Sequence, residues 1–209
     1  MPISSKLMSH FEITSSNEVI VDKSLTNKLI QLIRSEKRVA HSISVADLSY
    51  KIASANHLEE PFLYYIAGLF HDIAKGLSKE ELYSYMERYF HEYLDLPLFS
   101  FHQFVGAKLA EEFFELKDKD ILDAIMFHCT GKEKMSPMGM IVYAADKIDP
   151  LRGYDSKEMI ESMMNDYSKG FKFVLDENRN FLLSKKNNEL NSIDNRLSKA
   201  CFDYYLKKK

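Results

Sequence analysis

The chain has few glycines and prolines, the residues that commonly form the turns between β-strands. Only 7 glycines and 5 prolines occur among its 209 residues, and the short turn signals that join two strands into a hairpin are almost absent. Residues that favour helices dominate instead, with apolar positions repeating at the helical spacing. The composition therefore argues against an all-β sandwich or barrel and predicts an all-α fold.

Cysteine and long apolar stretches are also scarce. The two cysteines, Cys129 and Cys201, do not form a CxxC pair, so reduced thiols of a cytosolic protein fit them better than a disulfide framework. No apolar run approaches the roughly 20 residues that span a bilayer. The first residues lack the long apolar core of a signal peptide. We expect a cytoplasmic protein without a membrane partner.

A surplus of positive charge is missing as well. The formal net charge is −3 and the isoelectric point is about 6.2. Proteins that bind nucleic-acid polymers normally carry a basic surplus, so we do not expect such a partner. The hydrophobic content of 45% and the aromatic content of 12% are sufficient for a sizeable core.

The first part of the chain differs from the rest. Residues 1–23 show no clear periodicity, and we treat them as an N-terminal appendage of uncertain structure. Two short stretches within them, 11–14 and 19–21, are candidates for extended pieces. Residues 24–209 contain neither an internal repeat nor a low-complexity linker, so we treat them as one domain.

Capping residues and apolar spacing predict the helices of this domain. Ser24 and Ser100 are candidate N-caps, Ser78-x-x-Glu81 is a capping box, and Ser136 precedes a first-turn proline. Together these signals predict helices over residues 25–34, 36–55, 61–74, 78–91, 101–116, about 118–128, 136–148, 156–165, 167–184 and 193–206.

A histidine followed directly by an aspartate, His71-Asp72, ends the apolar run 62–70. Two ionisable groups at the edge of a hydrophobic core require a charge partner, a hydrogen-bond network or a metal. Chance produces one such pair in many chains. This pair is distinguished by further histidines and an aspartate in similar surroundings.

Four histidines and one aspartate lie in similar apolar helical settings: His41, His71, His102, His128 and Asp146. Neighbouring members are separated by about one helix or helical hairpin, so sequential packing would bring them together in a bundle. Imidazole with carboxylate suits Fe, Mn, Zn or Ni. Asp72 is the natural bridge between two such metals, which would clamp a phosphoryl oxygen and generate hydroxide near neutral pH. Taken singly, each histidine is more often an ordinary core or surface residue, and Asp146 also fits an exposed helix position.

The order His41, His71-Asp72, Asp146 resembles the H…HD…D signature of the HD-domain metal-dependent phosphohydrolase superfamily. A closer resemblance, over about residues 25–205, is to the bacterial YqeK family. It rests on the segments 38–46 (RVAHSISVA), 67–75 (AGLFHDIAK), His102 with 105–107 (VGA), 128–131 (HCTG) and 143–150 (YAADKIDP) with Arg152. In the last segment, Asp149 stands where the family more often has glutamate.

The resemblance implies an all-helical HD-domain bundle with a dinuclear metal site, in which iron is expected and Mn, Ni or Zn are alternatives. It implies one metal held by His41, His71, Asp72 and Asp146, and a second that shares Asp72 and adds His102 and His128. The implied activity is that of a symmetrical bis(5'-nucleosyl)-tetraphosphatase, which hydrolyses diadenosine tetraphosphate to two ADP. A homodimer is kept as a hypothesis for the assembly.

The resemblance also points to residues that act on the nucleotide substrate. Asp72 and Lys75 are the candidate catalytic residues, and the Lys75 ammonium can neutralise phosphate charge in the transition state. The Thr130 hydroxyl and the backbone N–H groups of Thr130 and Gly131 can donate to phosphate oxygens. Alternatively, these two residues only terminate the preceding helix. Arg152 can pair with a terminal phosphate.

Two other functions remain open for the same residues. The site also suits another nucleotide, as in a nucleotidase or a guanosine polyphosphate hydrolase. A non-catalytic module that binds nucleotide is the third hypothesis. Arg38, one turn before His41, has three interpretations: it orients Asp72, contacts phosphate or lies on the surface.

Overall fold

The computed structural model of the protein describes residues 3–184 and 195–207. Over these residues the fold is helical apart from one two-stranded sheet, as the composition predicts. The helices are α1 (Ser5–Met8), α2 (Lys23–Ile33), α3 (Glu36–Ala55), α4 (Pro61–Phe70), α5 (Lys79–Tyr89), α6 (Phe101–Phe114), α7 (Lys119–Met126), α8 (Pro137–Ile148), α9 (Lys157–Asn165), α10 (Tyr167–Ser184) and α11 (Arg196–Leu206).

The N-terminal segment contains the two predicted extended pieces. Strands β1 (Phe11–Ile13) and β2 (Val19–Val21) pair antiparallel, with Phe11 opposite Val21. The Phe11 ring meets the Phe62 ring of α4 edge-on, with centroids 5.2 Å apart, and Leu7 of α1 is buried. Apolar contacts therefore join this segment to the helices.

Several helix starts agree with the capping signals. The Ser78 hydroxyl accepts from the Glu81 amide in a complete capping box, and Ser136 accepts from the Gly139 amide. The assignment of Ser24 as an N-cap is wrong, because the Asp22 carboxylate accepts from the Leu25 amide at 2.7 Å and α2 begins at Lys23. A carboxylate earlier in the chain thus caps the helix.

Ser100 also does not act as the predicted cap. It ends a short 3-10 turn, Leu98–Ser100, and its hydroxyl donates to the Pro97 carbonyl at 2.7 Å. The hydroxyl therefore stabilises the turn that leads into α6. The predicted start of the last helix at Ile193 falls outside the described residues, within which α11 begins at Arg196.

Among the predicted helices that end earlier than expected, two lead directly into the histidine cluster. Helix α4 ends at Phe70 rather than Ala74, and residues 71–76 form successive turns. Helix α7 ends at Met126 rather than at His128. As a result His71, Asp72 and His128 lie just beyond helix ends, where the chain can turn their side chains towards a common centre.

The core is centred on α3 and α4, which pack against each other and against α8. Helices α6 and α7 pack together, and α10 packs on α8, α9 and α11. Val45, Ile66, Phe70 and Val142 are fully buried between these elements. Across the described residues, every helix is too short or too polar to cross a membrane.

The crossing of α3 and α4 depends on a glycine. A Cβ atom at Gly68 would lie 2.8 Å from the Ala46 Cα and 3.1 Å from the Ser49 hydroxyl oxygen. Real Cβ atoms do not approach backbone that closely, so only glycine allows the two helices to lie at this distance. Helix α3 carries His41 and α4 leads into His71, so this contact also sets their separation.

We predict that Gly68→Ala lowers the free energy of unfolding by about 1–3 kcal/mol, because the added methyl group overpacks the α3–α4 contact. Denaturant unfolding of the metal-free protein measures this change. Gly106→Ala is the matched control, since its nearest neighbours would lie 3.5 Å away or more. It should be neutral or raise stability by up to about 1 kcal/mol through helix propensity. Equal stability of both variants would contradict the close approach.

Candidate metal centre

Six side chains from five parts of the fold converge on one point. They come from α3, the turn after α4, α6, the turn after α7, and α8, and they are His41, His71, Asp72, His102, His128 and Asp146. These six residues form three overlapping groups, in each of which the candidate ligand atoms lie within 4.8 Å of one another. The convergence expected from the sequence spacing is therefore present.

Three of the histidines are oriented in the same way. The Nδ1–H groups of His71, His102 and His128 donate to the carbonyls of Gly68 at 2.7 Å, Phe99 at 2.7 Å and Ile125 at 2.8 Å. Each acceptor lies three residues before its histidine. With the proton on Nδ1, the Nε2 atom carries a lone pair and is available to a metal.

Burial keeps two of these rings neutral. It lowers the pKa of His102 below the usual value and lowers the pKa of His128 to about 3. Their Nε2 atoms lie 3.2 Å from each other, and 3.2 and 3.4 Å from Asp72 Oδ1. Three acceptor atoms thus face one another at hydrogen-bond distance without a proton between them, an arrangement that favours a cation at their centre.

The His71 ring provides a second indication. It is fully buried, and its Nε2 atom has no hydrogen-bond partner among the described residues. That atom lies 3.6 Å from Asp146 Oδ1 and 3.8 Å from Asp72 Oδ2. A buried nitrogen without a partner is unfavourable, and coordination of a metal would satisfy it.

His41 is held by two carboxylates. Its Nδ1 atom donates to Asp149 Oδ2 at 2.5 Å, and its Nε2 atom lies 3.1 Å from Asp146 Oδ1. Burial opposes protonation, but the hydrogen bonds to Asp146 and Asp149 outweigh it and raise the pKa of His41 to about 9. The ring is therefore protonated near neutral pH, and coordination through Nε2 would release that proton.

Two cations surround the Asp146 carboxylate. The Lys147 ammonium lies 2.7 Å from Oδ2, and the Arg152 guanidinium contacts Oδ1 and also the Asp146 backbone carbonyl. Burial alone would raise the pKa of Asp146, but Lys147, together with His41, His71 and Arg152, holds it well below the usual range. Asp146 is thus an anion available for coordination.

Lys75 lies at the other side of the cluster. Its ammonium donates to His102 Nε2 at 3.1 Å and lies 3.7 Å from Asp72 Oδ1. The side chain is 37% exposed, so the ammonium is close to the cluster and also reachable from solvent. Arg38, whose role the sequence left open, donates to the Lys75 carbonyl at 2.8 Å. It therefore supports the turn that carries Lys75.

The Thr130-Gly131 loop turns inward. Thr130 is 1% exposed, and Gln103 Oε1 accepts from the amides of Cys129 and Thr130 while its amide donates to the Thr130 hydroxyl at 3.1 Å. These contacts position the loop that follows His128. The predicted phosphate contacts of Thr130 and Gly131 stay a prediction.

Three residues of the site were not assigned a role from the sequence: Gln103, Lys147 and Asp149. In the sequence Asp149 stands out only as a replacement for glutamate, yet it is fully buried and also accepts from the Ser44 hydroxyl at 2.5 Å. A signal was available, since Asp149 follows Asp146 by one helical turn in the segment 143–150. Gln103 and Lys147 gave no signal beyond being neighbours of His102 and Asp146.

The family model for the HD domain matches residues 38–151, which is more than half of the chain. The chain belongs to the HD-domain family. All six converging residues lie inside the matched range, so the HD domain contains the whole cluster.

Curated relatives of this HD domain include the symmetrical bis(5'-nucleosyl)-tetraphosphatase of Bacillus subtilis, 30% identical over 61% of this chain and 69% of the relative. A probable nicotinate-nucleotide adenylyltransferase/Ap4A hydrolase of Mycoplasma genitalium is 34% identical over 56% of this chain. The aligned region spans about a third of that protein, 33%, and 36% of its counterpart in Mycoplasma pneumoniae.

A solved structure has the same fold. It is described as a predicted HD superfamily hydrolase involved in NAD metabolism from Clostridium acetobutylicum. The TM-score is 0.74 at 25% sequence identity, and the match covers 91% of this chain and all of that one. The all-α HD-domain fold expected from the sequence is confirmed.

We predict that Asp72→Ala abolishes metal retention, because Asp72 belongs to two of the three ligand groups. Metal analysis of anaerobically purified protein should find about two metal ions per chain in the wild type, as a shared carboxylate between two ions requires, and none in the variant. His91→Ala, which removes an exposed histidine outside the cluster, should retain the wild-type content. Full metal content in Asp72→Ala would exclude the dinuclear arrangement.

We expect Asp149→Asn to weaken metal binding by about 10–100-fold, the usual effect of removing the carboxylate behind a histidine ligand. The carboxylate fixes the ring of His41 and makes its Nε2 atom more basic. Competition with a chelator measures the affinity. Asp176→Asn, an exposed change on α10, is the control. Unchanged affinity in Asp149→Asn would show that His41 does not need this partner.

Proposed function

We propose that this HD domain hydrolyses diadenosine tetraphosphate symmetrically to two ADP, with a dinuclear metal centre held by His41, His71, Asp72, His102, His128 and Asp146. The convergence of these six side chains is the observation that carries the proposal. The activities for which its relatives in Bacillus subtilis and Mycoplasma genitalium are named supply the substrate class. Iron is the metal that we expect, with Mn, Ni or Zn as alternatives.

The proposed division of ligands agrees with two of the three groups of neighbouring ligand atoms, while the third, His71, His128 and Asp146, contains members from both sides of it. One ion would be held by His41, His71 and Asp72 with Asp146, and the other by Asp72, His102 and His128. Two such ions supply Lewis acidity at the phosphoryl oxygens and a water of lowered pKa. The carboxylate of Asp72 would be shared, because its two oxygens face different histidines, Oδ2 towards His71 and Oδ1 towards His102.

Two cationic side chains, Lys75 and Arg152, would bind the phosphates of the substrate. Lys75 and Arg152 are 37% and 39% exposed, so each can reach a phosphate oxygen from the cluster. When His102 coordinates a metal, the Lys75 ammonium loses its present acceptor and becomes available to the substrate. Positive groups placed where charge develops stabilise the transition state and the leaving ADP.

The proposed reaction is attack of water at a central phosphorus with ADP as the leaving group. A water oxygen bonds to one of the two central phosphorus atoms, and the bond from that phosphorus to the central bridging oxygen breaks. The bridging oxygen leaves with the second ADP, and the two protons of the water are released to solvent when both new terminal phosphates are ionised. Attack at either central phosphorus gives the same two products.

Chromatography of the products tests the proposal. The metal-loaded protein should convert diadenosine tetraphosphate to ADP alone, whereas ATP with AMP, or no turnover, would contradict it. Lys75→Met should retain the metal and lower turnover by about 10-fold or more, since it removes one transition-state cation. Lys79→Met, a change of an exposed lysine at the start of α5, should have no effect.

A further inference from the structure

A cavity of about 570 Å³ lies beside the metal cluster. It is formed by the end of α8, the turn after it, and helices α9 and α10, and its lining includes Lys147, Arg152, Tyr154, Val174, Asn178 and Phe181. The volume is within the range of ordinary small-molecule sites.

The cavity adjoins the cluster at two cations. Lys147 and Arg152 line it, and the same two side chains contact the Asp146 carboxylate. A phosphate group placed at this end would meet two positive charges. A second cavity of about 430 Å³, lined by Lys28 and Phe113 among others, contains neither of these two cations.

The rest of the lining suits a flat aromatic ligand. Tyr154 and Phe181 are large rings that are 47% and 53% exposed, while Val174 is buried at 1% and provides an apolar wall. Aromatic side chains stack on nucleobases with a contribution of about 1–3 kcal/mol per base. Two half-exposed rings and two cations in the same cavity offer stacking surfaces to a base and positive charge to its phosphates.

Polar groups of the cavity offer acceptors to the base. The Asn178 amide nitrogen donates to the Tyr143 hydroxyl at 2.9 Å, so the orientation of this amide leaves its oxygen as an acceptor. Glu177, which also lines the cavity, is an acceptor when ionised. Acceptors match a base that carries an exocyclic amino group, as adenine does.

We propose that this cavity binds the adenosine end of one half of the substrate, with its phosphates directed to Lys147 and Arg152. The inference rests on the proposed function for the identity of the nucleotide. It adds a binding site for the base and names Tyr154 and Phe181 as the residues that stack on it.

Calorimetry with ADP and with pyrophosphate tests the site on the metal-loaded full chain. ADP contains the base and is not consumed, whereas pyrophosphate reports on the phosphate end alone. Tyr154→Ala and Phe181→Ala should each weaken ADP binding by about 10-fold or more and leave pyrophosphate binding unchanged. Unchanged pyrophosphate binding also shows that the variants are folded.

The matched controls are Tyr204→Ala and Phe113→Ala, which remove rings that are each 48% exposed elsewhere on the surface. Both should bind ADP as the wild type does. ADP binding that is unaffected in Tyr154→Ala and Phe181→Ala, or reduced only in step with pyrophosphate binding, would overturn the inference. The assay does not depend on hydrolysis, so failure of the proposed reaction and failure of the base site give different results.

Discussion

The site depends on one repeated hydrogen bond, in which a histidine donates its Nδ1–H to the carbonyl three residues earlier. For His71 and His128 the acceptors are Gly68 and Ile125, which lie in the last turns of α4 and α7. Carbonyls at the end of a helix lack intrahelical partners, so the imidazole satisfies them and is itself oriented. The same hydrogen bond therefore caps the end of the helix and sets the direction of the Nε2 lone pair.

The electrostatic character of the centre follows from these bonds. His102 and His128 are buried and neutral with their lone pairs inward, so they cannot donate to Asp72, and the Lys75 ammonium is the nearby positive group on that side. On the other side, Asp146 is balanced by Lys147 and Arg152. The chain thus surrounds two buried carboxylates with cations. Because the carboxylates are buried, dissolved salt screens their attraction to these cations only weakly.

Much of this was predictable from the sequence, because helical spacing and capping patterns are local. The all-α fold, the capping box at Ser78 and the convergence of six side chains follow from such patterns. The early ends of α4 and α7 do not, because each depends on a tertiary arrangement that turns a histidine inward. The partnership of Asp149 with His41 joins residues 108 positions apart, and no local pattern encodes that pairing.

The loop after His128 is packed against the last helix. Gly131 has a φ of +67°, and a Cβ atom there would lie 2.5 Å from the Cys201 sulfur of α11. The Tyr205 hydroxyl of the same helix accepts from the Met135 amide at 2.7 Å. The family match ends at residue 151. A fragment that ended there would lack α11 and its contacts with this loop. The segment that matches the family is therefore shorter than the segment whose contacts hold this loop in place.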